Sequence, residues 1–272
     1  MIKVVGGFTI ERLRGVLESA DESRRLDLSK CTFIDPVGLV TLGVLAEAWG
    51  PGHPGTWLTP ESDDTYRYMT RMHLPTVISK VARVEPDRYV TIREKPQGDY
   101  LYELHATQSA EAARKIGDLV LNRLGDDAGD DLRDAIWCCV IEAWQNVTDH
   151  SQSNLGFAAA QVLQRNSNNQ RVVIGIADPG IGIAATLRRR LGNVADHIAV
   201  EEAAGGMSSI EVDPGRGMGL KSMRNVSSEL GGQLLIHSGC GGLKVSRTGV
   251  RKFSTPVRIP GTIIGVELPC AG

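Results

Sequence analysis

The sequence predicts an α/β (α+β) protein of two consecutive units, a β-α unit over residues 1–90 and a helix-on-sheet sandwich over residues 98–272. Three observations predict it. Short apolar runs bounded by turn residues alternate with helical periodicity in the first ninety residues. A stretch with two prolines and several charges (Glu85-Pro86-Asp87-Arg88, Glu94-Lys95-Pro96) interrupts the pattern at 83–98. Beyond it, a long amphipathic helix precedes a series of strand-like runs, which reads as helices packed on a mixed, mainly antiparallel sheet.

The 272 residues, 42% of them hydrophobic, suffice for one large core or two small ones. Lys+Arg number 30 against 32 Asp+Glu, so no basic excess points to nucleic acid or an anionic membrane. The densest basic run, Arg188-Arg189-Arg190, reads as a solvated helix face. The first residues, Met1-Ile2-Lys3-Val4-Val5-Gly6, carry no signal-peptide core, and no run approaches the roughly 20 apolar residues of a membrane helix. Cys31, Cys138, Cys139, Cys240 and Cys270 are odd in number and form no C-x-x-C pair, against a disulfide framework or structural zinc. The expected compartment is the cytoplasm.

In the first unit, residues 25–29 read as a strand and Asp35-Pro36-Val37-Gly38 as a turn. Leu39, Leu42, Leu45 and Ala46 then recur at helical spacing until Gly50-Pro51-Gly52 stops them. Residues 56–59 make a second short strand and 63–74 a helix, which Pro75 ends because the residue before proline leaves the helical region.

In the second unit, residues 100–106 alternate as a strand and 109–124 follow as a helix. From 131 to 150, Leu132, Ile136, Val140, Ala143 and Val147 draw one apolar stripe. Glu142, Asn146 and His150 draw a polar stripe roughly 80° away, at the edge of the core rather than opposite it. A carboxylate and a carboxamide at that edge suit a pocket wall. The Asn oxygen is a hard neutral ligand for Mg²⁺, and a Glu one turn earlier can orient or deprotonate a nucleophile attacking a phosphate. Taken alone, the same pair also describes two solvent-facing helix residues.

Residues 171–177 form a near-continuous apolar run, a buried strand that ends in Asp178. Gly180 and Gly182 follow and permit close backbone approach. A carboxylate there can accept from an exocyclic amine such as that of adenine, although an Asp-Pro-Gly turn is common without any ligand. Gly215-Arg216-Gly217-Met218-Gly219-Leu220 leads into a helix whose apolar face is Leu220, Met223, Val226 and Leu230, with Gly231 as its stop. Such a helix start offers backbone N–H groups to a phosphate. It matches neither the P-loop nor the dinucleotide fingerprint. The stretch 183–214 between the glycine loops, partly helical at 184–191 and 197–204, suggests a lid. Residues 233–237, 243–246 and 262–268 are the closing strands.

Two resemblances follow. The run Leu26-Asp27-Leu28-Ser29-Lys30-Cys31-Thr32-Phe33-Ile34-Asp35-Pro36-Val37-Gly38-Leu39 resembles the STAS domain of anti-sigma-factor antagonists. In that family an Asp-Ser-x-Gly sequence opens the helix and its serine accepts phosphate. Here Pro36 stands at the serine position and has no hydroxyl, while proline suits the first helical turn. The unit reads equally as a plain packing module or a regulatory one.

The series Glu142-Ala143-Trp144-Gln145-Asn146-Val147-Thr148-Asp149-His150, then Asp178-Pro179-Gly180-Ile181-Gly182, then the Gly215 to Leu220 loop, resembles the GHKL ATPases over roughly residues 98–270. Its form is most similar to the anti-sigma-factor serine kinase branch. The resemblance implies a Bergerat α/β sandwich that binds ATP and Mg²⁺. It makes Asn146 the magnesium ligand, Glu142 the general base and Asp178 the adenine acceptor, with Gly180 and Gly182 beside the base. Gly217 and Gly219 approach the phosphates, and Gly215 and Leu220 complete the nucleotide-binding set. Pro179 departs from the usual polar residue, and no acceptor-histidine helix is evident.

The expected function is therefore an ATP-binding regulatory protein of GHKL type. It either hydrolyses ATP or phosphorylates a protein serine in a partner-switching system. The alternative is a nucleotide-gated protein-binding module without significant turnover. Expected partners are a sigma-factor-like or STAS-like protein and, for a homodimer, a second copy of the chain. No membrane or direct nucleic-acid contact is expected.

Overall fold

The computed structural model describes residues 1–49, 56–79, 83–85, 101–107, 111–124, 128–164, 168–207 and 219–270. The first part of the chain runs β1 (Ile2–Phe8), α1 (Leu13–Glu18), β2 (Arg25–Ile34), α2 (Pro36–Trp49), β3 (Thr56–Leu58), α3 (Asp63–Arg71), α4 (Leu74–Ile78) and β4 (Arg83–Glu85). Its strands form one parallel sheet in chain order, β1-β2-β3-β4. The second part runs β5 (Leu101–Thr107), α5 (Glu111–Leu124), α6 (Asp130–His150), β6 (Gly156–Leu163), β7 (Arg171–Asp178), α7 (Ile183–Leu191), α8 (Asp196–Ala204), α9 (Gly219–Glu229), β8 (Gln233–Ser246) and β9 (Gly249–Pro269). Its five strands take the order β5-β6-β7-β9-β8, and every described pairing is antiparallel rather than mixed.

Helix α2 joins the two parts. Every residue of 36–46 is buried, because the helix is apolar on all sides and must be enclosed on all sides. On one side lies the parallel sheet, with Ile2, Val4, Leu26 and Leu28 in the shared core. On the other lie β6, β7 and β9, which contribute Phe157, Ala159, Val173, Ala177 and Ile263 to the same core. Strand β7 alternates between two cores, with Val173 and Ala177 toward α2 and Ile174 and Ile176 toward α5, α6 and α9. That double burial explains its unbroken apolar sequence. The layers are parallel sheet, α2, antiparallel sheet and outer helices.

Polar ties accompany the apolar contact. Arg71 Nη1 donates to Glu103 Oε1 at 2.5 Å, and Glu103 is 2% exposed. Tyr68 O–H donates to Gln161 Oε1 at 2.7 Å, and Leu104 N–H to Met72 C=O at 3.1 Å. At the opposite sheet edge Lys244 Nζ reaches Glu11 Oε2 at 2.6 Å.

Several elements differ from the sequence expectation. The strand expected at 25–29 continues to Ile34, and β1, α1 and β6 were not anticipated. β6 is alanine-rich (Gly-Phe-Ala-Ala-Ala-Gln-Val-Leu), and alanine favours helix until sheet neighbours decide otherwise. The helix expected over 63–74 ends at Arg71, ahead of Pro75, which instead sits in the first turn of α4, where its missing N–H costs nothing. The runs at 233–237 and 243–246 belong to one strand, β8, whose register shifts around Gly239. The interruption expected at 83–98 holds β4 at its start, and residues 86–98 lie outside the described residues. No helix among the described residues is long and apolar enough to cross a membrane.

Separating the two parts would expose Leu104, Phe157, Ala159, Val173, Leu235 and Ile263 on one sheet face. Expressed alone, residues 98–272 are expected to aggregate or melt without a sharp transition, whereas the whole chain unfolds in one step. Circular dichroism melting with size-exclusion chromatography checks this, and a monomeric fragment with a sharp transition would refute it. Arg71→Ala, which takes a charged partner from the buried Glu103, is expected to cost on the order of 1–3 kcal/mol by urea denaturation, with part of that recovered in the R71A/E103Q double variant.

Candidate functional site

The site assembles along the C-terminal half of α6. The helix starts at Gly129, with Asp130 and Asp131 in its first turn, where negative charge favours the helix dipole. Its apolar stripe, including Ile136, Val140, Ala143 and Val147, is buried against the sheet. That orientation leaves Glu142 and Asn146 half-buried at the edge of the core. The Asn146 side-chain NH₂ donates to the Glu142 carbonyl at 2.8 Å. A carbonyl can only accept, so the bond fixes which end of the amide faces the helix and leaves Oδ1 as the outward acceptor. Partial burial raises the Glu142 carboxyl above its ordinary value. His150 closes the helix, and its side chain lies outside the described residues.

Two further segments meet this stretch of α6. At one end Gly219, the first residue of α9, lies so close to the Glu142 carboxylate that a Cβ there would collide with it. Leu220 is buried beside Met223 and Ser227, which seats α9 and holds its start in place. At the other end the loop after β7 docks on the residue following the helix: Ile181 N–H donates to Ser151 C=O at 2.9 Å. Gly180 packs against the same carbonyl and has no room for a side chain. Asn146 sits on the turn between these two contacts.

Asp178 ends β7 and is 2% exposed. Its Oδ1 accepts from Gly180 N–H at 2.8 Å, and it also takes a backbone hydrogen bond from Thr262, its cross-strand partner. Burial outweighs those bonds and pushes its carboxyl up to about 7. Gly182, at φ 81°, caps the start of α7 in a backbone conformation that favours glycine. Ser238 completes the loop's support, accepting from Ile183 N–H at 2.9 Å and donating to Gly261 C=O at 2.8 Å.

Of the residues singled out in the sequence, Glu142 and Asn146 lie on this helix, Gly219 and Leu220 open the helix packed against Glu142, and the loop from Asp178 through Gly180 to Gly182 docks by Gly180 and Ile181 on Ser151 just past its end. Gly215 and Gly217 lie outside the described residues. In residues 183–214, expected as a lid, α7 buries Ile183 and Leu187 and exposes Arg188, Arg189 and Arg190. In α8, Ala199, Val200, Ala203 and Ala204 are buried, and Asp196 Oδ2 accepts from Cys240 N–H at 2.7 Å and from Arg258 at 3.2 Å. Residues 208–214 lie outside the described residues. Sequence reasoning missed the supporting roles of Ser151, Ser238 and Thr262. Their partners lie on other elements, as Ser238 and Ile183 do at 55 residues' separation, and no local pattern announces such a pair.

The comparisons with known proteins found no matching family model and no significant match among curated proteins or solved structures.

The protonation of Asp178 makes a test of the site's burial. Its carboxyl lies near 3.8 when unfolded and about 7 when folded. The folded chain therefore holds the proton more tightly, and this contribution is full below pH 3.8 and lost as pH rises through 7. Asp178→Asn cannot titrate. Between pH 5 and 8 the wild type is expected to lose on the order of 2–4 kcal/mol relative to the variant in urea denaturation. Parallel stability profiles would show that the carboxyl is not so buried.

Proposed function

We propose that the chain is a magnesium- and ATP-binding protein of GHKL type. On this reading it hydrolyses ATP, or transfers the γ-phosphate to a protein serine, within a partner-switching signalling system. Residues 98–272 then act as a Bergerat-type ATP-binding unit and residues 1–90 as a STAS-like regulatory unit. One observation carries the reading: a carboxylate, an outward carboxamide oxygen, a helix start and a strand-end aspartate loop all adjoin one stretch of α6.

The donor set suits the ligand. Asn146 Oδ1 is a hard, neutral oxygen, and a magnesium ion takes its remaining positions from phosphate oxygens and water. Bound there, the ion would neutralise charge developing on the phosphates. Glu142 orients the attacking oxygen and accepts its proton, and its raised carboxyl makes it a stronger base than an exposed glutamate. The start of α9 presents backbone N–H groups beside that carboxylate, with the polarity that favours an anion. Asp178, fixed by Gly180 and Thr262, accepts from the exocyclic amine of the base. Pro36 offers no hydroxyl and is buried at the start of α2, so a serine acceptor lies on a partner protein rather than at this turn.

Two substitutions separate binding from chemistry. Asn146→Ala is expected to weaken Mg-ATP binding at least tenfold by calorimetry. Glu142→Gln is expected to lower turnover by about 10²-fold or more while binding changes only a few-fold. A wild-type chain that binds no Mg-ATP at millimolar concentration would overturn the proposal. Unchanged turnover in Glu142→Gln would remove the base and leave the pocket.

A further inference from the structure

Strands β7 and β9 each carry a glycine directly under the first turn of α2. Gly175 and Gly265 are cross-strand partners, so together they form a notch in the sheet. A Cβ on Gly175 would come within 2.5 Å of the Pro36 carbonyl oxygen, and one on Gly265 within 2.7 Å of a Val37 methyl group. The turn thus rests on the sheet backbone, directly at Gly175 and through the β-branched Val37 side chain at Gly265. Three residues along the same two strands, about 10 Å away, stands the pair Asp178 and Thr262.

The turn itself is held from behind. Asp35 Oδ1 accepts from Gly38 N–H at 2.9 Å and Oδ2 from Ile10 N–H at 2.7 Å. Its backbone N–H donates to Phe8 C=O at 3.2 Å. Asp35, through its buried carboxyl and its backbone N–H, therefore ties the end of β1, the segment leading to α1 and the start of α2 into one block.

We propose that Asp35, Pro36 and Val37 are positioning residues for the nucleotide site: seated in the Gly175–Gly265 notch, they set the spacing of the Asp178–Thr262 pair, so that base binding and the packing of the α2 turn are coupled. The inference rests on the nucleotide reading of the Asp178 loop. It gives the first unit a role in ligand affinity with no residue of its own in the pocket. One backbone contact, at Gly175, and one contact through the stiff Val37 side chain, at Gly265, link the two places, and a packed core transmits such a displacement rather than damping it.

Hydrogen exchange on the full chain, with and without magnesium and a non-hydrolysable ATP analogue, tests the coupling alongside the analogue's Kd. Ligand is expected to protect peptides over 178–182. It is also expected to protect those over 35–39 several-fold more than those over 63–71, which report general stabilisation. Gly175→Ala is expected to raise Kd at least tenfold and abolish the excess at 35–39. Should it not fold, Val37→Ala loosens the same seat without adding an atom, and a fivefold rise in Kd is expected. Met69→Ala weakens the core of the first unit elsewhere and should leave Kd within threefold. Protection at 178–182 without the excess at 35–39 would overturn the coupling alone. So would equal Kd changes in the seat variants and Met69→Ala. A wild type with no measurable Kd and no protection at 178–182 would overturn the nucleotide reading, and the coupling with it.

Discussion

The enclosure of α2 is the constraint on which the rest of the molecule depends. Val37, Leu39, Val40, Leu42, Val44 and Leu45 are at most 2% exposed. Burying six aliphatic side chains is worth on the order of 10 kcal/mol before the entropy of ordering the chain is charged. That gain is available only while both sheets are in place. An amphipathic helix would have let each part of the chain close its own core. A helix apolar on every side forces the two to share one, and the antiparallel sheet is then covered on both faces. The strand that ends in Asp178 is gripped from behind by α2 and from in front by α5 and α6, which is how a loop end comes to have a fixed place.

The site exploits the same burial. Two carboxyls are buried near the Gly175–Gly265 notch, Asp35 in the turn seated on it and Asp178 three residues along β7, and burial raises both to about 7. Each is retained because its oxygens are satisfied by backbone N–H groups that no apolar residue could satisfy. His237 behaves in the opposite sense. Burial lowers its ring to about 4, so the folded chain rejects the proton that the unfolded chain accepts below 6.5. Its contribution is present above 6.5 and lost as pH falls toward 4, while the two aspartates lose theirs as pH climbs toward 7. The three groups therefore pull the stability profile in opposing directions through the mildly acidic range, and above pH 6.5 the aspartates act alone.

Much of this was legible in the sequence where the signal is local. The stripe Leu132, Ile136, Val140, Ala143 and Val147 gave the length and orientation of α6, hence the placing of Glu142 and Asn146 at the core edge. The apolar run before Asp178 gave a buried strand, and Gly231 gave the end of α9. What was not legible depends on neighbours distant in the chain. β6 gave no strand signal because alanine is indifferent to a sheet until one forms around it. The all-round apolar character of α2 was visible in Val37-Gly38-Leu39-Val40-Thr41-Leu42-Gly43-Val44, but its periodic leucines drew the eye to a single face. Gly175 and Gly265 looked like ordinary strand residues, because their meaning lies in a helix some 140 and 230 residues away in the chain. The Asp35-Pro36 step invited attention for the serine it lacks, whereas its structural weight lies in the aspartate.

Apolar contact alone would not fix how the two parts sit, because it is nearly indifferent to rotation about the normal to the sheet. The polar ties supply that direction, and they lie at the rim. In the order β5-β6-β7-β9-β8, α2 seats on the middle strands. Arg71–Glu103 and Tyr68–Gln161 fasten the β5–β6 edge, and Glu11 reaches Lys244 and Gln233 at the β8 edge. Each tie is directional and weakens over a fraction of an ångström. Two sets at opposite edges oppose any rocking of α2 on its glycine notch. Energy and orientation are thus divided between different residues: aliphatic side chains at the centre hold the parts together, and hydrogen bonds at the edges choose the angle. A turn that must hold Asp178 and Thr262 at a set spacing needs both, since a tightly held but rotatable block would carry the strand ends with it.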